Sequence, residues 1–155
     1  MKAITIWQPW ASLLACGAKQ YETRSWETNY RGTIAIHAAF DPHLKIWEEL
    51  DDVTAGTMQG ILDFIDPDEL PLGSIIATAE LVECWKILDS GKDEAILQII
   101  NAERQAQRKI YDNEIHFGDW TPGRYAWEFR NMTMLPEPIP AKGKQRIWNW
   151  EEGEQ

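Results

Sequence analysis

The chain has 155 residues, of which 44 % are hydrophobic and 26 % charged, with a formal net charge of −10. That composition suits one globular core and excludes a disordered or collagen-like chain. No apolar run reaches the roughly 18 residues of a membrane span, and "MKAITIWQPW" carries neither a signal-peptide apolar region nor a cleavage site, so a cytoplasmic location is the default expectation.

"AITIW" (3–7) reads as a short first strand. Pro9 suits a first helical turn, Trp10, Leu13 and Leu14 recur at helical spacing, and Gly17 fits the position just past a helix end, so 9–16 reads as a short helix. Lys19 then falls in a turn at the helix exit. An extended stretch over 20–26 places Glu22 and Arg24 on one face and Tyr21 and Thr23 on the other. "NYRG" reads as a turn and "TIAIHA" (33–38) as a strand, with Ile34 and Ile36 on one face and Ala35 and His37 on the other.

Asp41 and Pro42 signal a helix start, and Gly56 and Gly60 are expected to break the helical pattern that follows. "DPDELPLG" (66–73) reads as a connection and "SIIATAELVECW" (74–85) as a long strand charged only at Glu80 and Glu83. The stretch 89–110 reads as a helix with Ser90 as its cap. "RYAWEFRNM" (124–132) alternates, with Tyr125, Trp127 and Phe129 inward and Arg124, Glu128 and Arg130 outward. The prolines of "LPEPIPAKGK" (135–144) argue against a central strand, and "QRIWNW" (145–150) reads as a closing one. Five or six strands with small helices predict an α+β, compact β-barrel with helical additions.

Cys16 and Cys84 make neither a disulfide framework nor a metal site, and His37, His43 and His116 lack metal-ligand spacing, so neither a metal nor a cofactor is expected. No phosphate-cradling loop and no Gly-x-Ser-x-Gly occurs. Charge is uneven. Residues 1–40 carry four basic and two acidic side chains, 41–119 six and eighteen, and 120–150 five and two, with three acids beyond. If the mildly basic ends meet in the fold, a small positive patch forms on an acidic protein.

Lys19, Glu22 and Arg24 within six positions are either a solvated cluster or the edge of a pocket. Lys19 suits a phosphate contact, but an exposed lysine is also ordinary at a helix C-terminus. Glu22 and Arg24 suit a structural ion pair or a pair that orients Lys19. Nine tryptophans make either an aromatic core or a stacking surface, with Trp10 and Trp26 the candidates to flank a ligand. Glu80, in an apolar strand, is the candidate acid or base if the protein is an enzyme, with a salt bridge to Arg24 as the structural alternative. His37 is either a hydrogen-bonded core residue or a ligand contact. Lys142, Lys144 and Arg146 either cover a phosphate backbone or line a solvated loop.

"GAKQYETR" matches Gly-x-Lys-x-x-Glu-x-Arg placed directly after a first helix, with Gly17, Lys19, Glu22 and Arg24 as the fixed residues. With "ITIWQPWASLLACG" before it, "RGTIAIHA" after it, and the later "LPLGSIIATAEL", "RYAWEFRN" and "LPEPIPAKGKQRIWNW", the chain resembles the ASCH domain family, a branch of the PUA-like β-barrel superfamily. The resemblance implies one domain over 1–155, with helical insertions near 41–70 and 89–115. It also implies binding of RNA or a nucleotide-like small molecule, in a cleft expected around Lys19, Glu22 and Arg24 of the motif; Trp10, Trp26, His37 and Lys144 are the further candidate ligand contacts from the reading of the residues. Some family members resemble amidohydrolases of a modified cytidine that use a Lys-x-x-Thr pair. Here Glu22 replaces that threonine and Thr23 faces the other way, which removes the obvious nucleophile. The enzymatic alternative, a nucleoside hydrolase or a nuclease, would use Lys19, Glu22 and Glu80. A protein-interaction adaptor using the acidic middle is the third reading.

Overall fold

The structure, a computed structural model, describes residues 1–41, 48–61 and 69–153. Among them it is mostly sheet with two α-helices. In chain order the elements are β1 (Lys2–Ile6), α1 (Trp10–Ala15), β2 (Tyr21–Arg24), β3 (Gly32–Ala38), α2 (Asp52–Ile61), β4 (Ser74–Ser90), β5 (Ala95–Ile100), β6 (Gln105–Ile110), a 3-10 turn (Asn113–Phe117), β7 (Tyr125–Pro140) and β8 (Ile147–Asn149). Eight strands form one mixed sheet in the order β2-β7-β4-β3-β1-β8, with β5 paired to β4 and β6 to β5. The α+β class is as expected; the strand number exceeds the five or six anticipated. Contacts divide the chain into two compact units: Met1–Lys19, Thr33–Glu80 and Asn131–Gln155 form the first, and Gln20–Gly32 and Leu81–Arg130 the second. No described helix is long and apolar enough to cross a membrane.

In the first unit, β1 runs parallel to β3, with Ala3 opposite Ala35 and Thr5 opposite His37. It runs antiparallel to β8, with Ala3 opposite Trp148. Ile34 to Ala38 are all buried, as expected of a strand in parallel pairing, which lets apolar residues run on both faces. Ala3, Ala35, Ile75, Trp148 and Trp150 share one core cluster. The chain ends do meet: the Met1 amino group donates to Trp150 O at 2.8 Å and Lys2 Nζ to Asn149 Oδ1 at 2.9 Å. Helix α1 is buried from Ala11 to Ala15. The buried Gln8 serves its first turn, accepting from Ser12 N at 3.0 Å and donating to Pro71 O at 2.9 Å. Gly17 takes φ +83°, the left-handed conformation that glycine enters without strain.

Gly56 and Gly60 do not break the helix; both lie inside α2. Asp51 caps it, accepting from Thr54 N at 2.9 Å and Thr54 Oγ1 at 2.7 Å. That cap satisfies end donors which would otherwise lack partners. The signals at Pro42 and over 62–68 fall outside the described residues. The stretch expected not to form a central strand is the end of β7, which runs on through Pro136 and Pro138 to Pro140, beyond the part of β7 that pairs with β2, Tyr125 to Glu128. The prolines' spacing of two explains how the strand continues. All three missing N–H groups point to one side of the strand, leaving the other side's donors intact. Ala141, on that other side, donates to Gly73 O at 3.0 Å.

The second unit holds the largest correction. The helix expected over 89–110 is a β-hairpin, β5–β6, paired from Ala95↔Ile110 to Ile100↔Gln105. Ile96, Ile99 and Ile100 fit a helical stripe, but Ala95, Leu97 and Ile99 also alternate, and these are the buried ones. β-branched isoleucine favours the strand. Asn101 makes the turn, its Oδ1 accepting from Glu103 N and Arg104 N, each at 2.9 Å. Ser90 ends β4 rather than capping a helix. Tyr21, Trp85, Ile87, Leu97, Ile110 and Trp120 pack in this unit's core.

Candidate functional site

The motif begins at the end of the first unit. Past α1, Gly17 N donates to Leu14 O and Lys19 N to Leu13 O, each at 3.0 Å, which turns the chain out of the helix. Lys19 was expected in a turn at the helix exit, either as a phosphate contact or as an exposed lysine. It is 0 % exposed, among the largest fully buried side chains. A lysine in such a place is held by internal partners, because an uncompensated buried ammonium costs several kcal/mol or more.

In the second unit, β2 continues the motif antiparallel to β7, with Glu22 opposite Trp127 and Arg24 opposite Tyr125. The alternation is as expected. Tyr21 and Thr23 are buried, and Glu22 and Arg24 share the other, partly open face. Arg24 Nε lies 3.2 Å from Glu22 Oε1, with 26 % and 13 % of the two side chains exposed. The strand's start is held by the buried Glu114, whose carboxylate accepts from the backbone N–H of Gln20 and of Tyr21. Thr23 Oγ1 accepts from Asp119 N at 3.0 Å, and Gly118 packs against this side chain. That hydroxyl therefore sits on the face away from Glu22. Half-buried Trp26 meets Trp127 edge-on, ring centroids 4.6 Å apart.

The remaining first-unit candidates divide. Trp10 is half-buried. His37 is 1 % exposed, and its Nε2 donates to Ala141 O at 2.8 Å. Its Nδ1 has no hydrogen-bond partner among the described residues. Burial pushes the imidazole below its ordinary pKa, more than the Ala141 bond restores. Gly143 closes the space beside it: a Cβ there would lie 2.5 Å from His37 Cε1. His37 meets the Trp148 ring at 5.8 Å, and Lys144 Nζ lies 5.7 Å from the same ring. His37 and Lys144 are thus joined through Trp148, with the histidine inside and the exposed lysine outside. Glu80 is exposed rather than buried and accepts from Asn131 Nδ2 at 2.9 Å. The apolar surroundings expected for it are absent because it occupies the open face of β4. Arg24 forms an ion pair with Glu22.

Sequence reasoning missed a charge network in the second unit. Glu128, expected to point outward, is 4 % exposed. It accepts from Trp85 Nε1 at 2.9 Å and pairs with Arg108 and Arg130, each at 2.8 Å. Burial alone would raise its pKa; the bonds from Trp85, Arg108 and Arg130 outweigh that and hold it below the ordinary carboxylate value. Arg108 also donates to the Tyr21 hydroxyl at 2.6 Å and lies 4.5 Å from the Trp85 ring. Glu83 pairs with Arg31 at 2.7 Å and with Arg104 at 2.9 Å. A cleft of about 510 Å³ in the same unit is lined by Thr28, Asn29, Arg31, Glu83, Lys86 and Tyr125, among others. The signal for the network lay in same-face spacing on strands: Glu83 with Trp85, and Glu128 with Arg130. It was visible only with 95–110 read as a hairpin. Among the described residues no group of three or more His, Cys, Asp or Glu could hold a metal ion, and both cysteines are free thiols.

A mixed sheet, a short helix before β2 and the Gly17–Arg24 motif define a class of domain. The family model described as the ASCH domain matches residues 4–136, and the chain belongs to that family. It is 37 % identical over 146 residues to human Activating signal cointegrator 1, covering 94 % of this chain and 21 % of that protein. Against the mouse Activating signal cointegrator 1 the identity is 26 % over the same length, with the same coverage. The chain thus spans about a fifth of the length of the curated relatives it matches.

Proposed function

We propose that the chain binds RNA or a nucleotide-like ligand through its motif segment, with the Glu22–Arg24 face of β2 as the contact surface. The observation that carries this is the pair itself: Glu22 and Arg24 on one face, 3.2 Å apart and partly open. A carboxylate that fixes a guanidinium leaves the planar donor fork preset for a phosphate. Half-buried Trp26, two residues on, is an aromatic side chain of the type on which bases stack. Lys19 is wholly buried, so it is not part of that contact surface. Membership of the ASCH family adds to the reading, although a fold alone does not fix a function. The orientation of Thr23 removes the hydroxyl that a Lys-x-x-Thr hydrolase needs, so binding without turnover is the expected behaviour.

The test is fluorescence anisotropy with a labelled single-stranded RNA, alongside product analysis of the same mixture. Wild type is expected to bind and leave the RNA intact. Arg24→Gln is expected to weaken binding with little change in melting temperature. No binding by wild type at low salt would overturn the proposal, and release of a cleavage product would replace the binding module with an enzyme.

A further inference from the structure

Seven side chains of the second unit form one continuous array outside the motif. Glu83 on β4 holds Arg31 and Arg104. Two residues along, on the same face of β4, lies Trp85, with the Arg104 guanidinium 5.9 Å and the Arg108 guanidinium 4.5 Å from its ring. Arg108 then pairs with Glu128, which also holds Arg130. Four arginines and two glutamates leave a net charge of +2, over a tryptophan that is 3 % exposed. The arginines are not spent by these contacts. Arg104 is 52 % and Arg130 59 % exposed, and Arg108 35 %. Arg104 bonds through Nη2, and Arg130 through Nε and Nη2. Each guanidinium has five N–H donors in a fixed plane, so donors remain on each for an outside acceptor.

We propose that Arg104, Arg108 and Arg130 form a second contact surface for the phosphate backbone of bound RNA, prearranged by Glu83 and Glu128 over Trp85. The inference rests on the RNA reading above and extends it to arginines other than Arg24, one of which, Arg108, donates to the Tyr21 hydroxyl of the motif strand. Three features favour it. Phosphate is recognised best by a planar, preset fork. The two carboxylates and the indole hold the guanidiniums in place, which lowers the ordering cost on binding. Asn101, bonded to Arg104 N, fixes the backbone that carries the first of them.

The experiment is RNA anisotropy across a potassium chloride series on the intact chain. It compares wild type, Arg104→Gln/Arg130→Gln, the corresponding double lysine variant, Arg24→Gln, and Lys109→Gln as a surface control. Lys109 pairs with Glu94 and takes no part in the array. The double glutamine variant is expected to bind about tenfold more weakly and to lose about 1.4 from the log–log salt slope, roughly 0.7 per phosphate contact on a single strand. The double lysine variant is expected to keep the slope and lose affinity, because an ammonium replaces charge but not the fork. If the glutamine variant melts early, the lysine pair decides. Unchanged affinity and slope in both double variants, with Arg24→Gln weakened, would overturn the inference and leave the motif reading standing. An equal loss in Lys109→Gln would also overturn it, since any positive charge would then serve. Failure of wild type to bind would overturn both readings.

Discussion

At the scale of single residues, burial decides most of the chemistry. Lys19 shows this best: its sequence position suggested a side chain free to change, but its complete burial makes it part of the interior. Lys19→Ala is expected to cost on the order of 2–5 kcal/mol, because it opens a space where a large side chain is fully buried. Urea unfolding checks this; a loss below about 0.5 kcal/mol, typical of surface positions, would contradict it. His37 gives a pH prediction. Its folded pKa lies below its ordinary value of 6.5, so protonation favours the unfolded chain. The contribution is fully present above that value, falls as pH drops below it, and stops falling below the folded pKa. His37→Phe should flatten this part of the stability–pH curve measured by thermal melting. Gly143→Ala should destabilise by about 1–3 kcal/mol, since its Cβ has no room beside the imidazole.

At the scale of elements, the β5–β6 hairpin and β7 carry what sequence reasoning did not reach. Isoleucines at 96, 99 and 100 satisfied a helical period, while Ala95, Leu97 and Ile99 satisfied a strand. Short apolar runs are ambiguous in this way, and partner strands settle them. β1, α1, β2 and β3 were legible because each has local punctuation, such as Pro9 before α1 and Gly17 after it. Glu128 was not legible, since alternation along β7 says nothing of Arg108 on another strand. The burial of Glu128 and its bonds to Trp85, Arg108 and Arg130 predict that Glu128→Gln costs about 1–3 kcal/mol, the two guanidiniums being partly exposed. The pH sign is opposite in origin to that of a raised group. The folded pKa of Glu128 lies below its ordinary value of 4.5. Its stabilisation is therefore present above that value and is lost as pH falls through the folded pKa. An acid titration of wild type against Glu128→Gln should show the difference only on the acid side.

At the scale of the whole molecule, the acidic total of −10 conceals where the cations stand. The sequence ends were expected to supply a small basic patch, and they do meet through β1 and β8. Arg24 and Arg31, counted with the first end, lie in the second unit, and so do Arg104 and Arg108 from the acidic middle. Averaging charge along the chain could not reveal this, because pairing between strands gathers residues distant in sequence. Of the site, the Glu22–Arg24 face was legible from strand periodicity, whereas the burial of Lys19 and His37 needed the tertiary fold. The central claim is that an acidic ASCH domain binds RNA through a limited set of positioned arginines. The most direct measurement is the RNA affinity of the wild-type chain as a function of salt. Binding that weakens with a log–log slope clearly shallower than about −6 is predicted, each contact on a single strand adding roughly 0.7. A slope that steep would mean more phosphate contacts than the positioned arginines supply, and no binding at low salt would contradict the account outright.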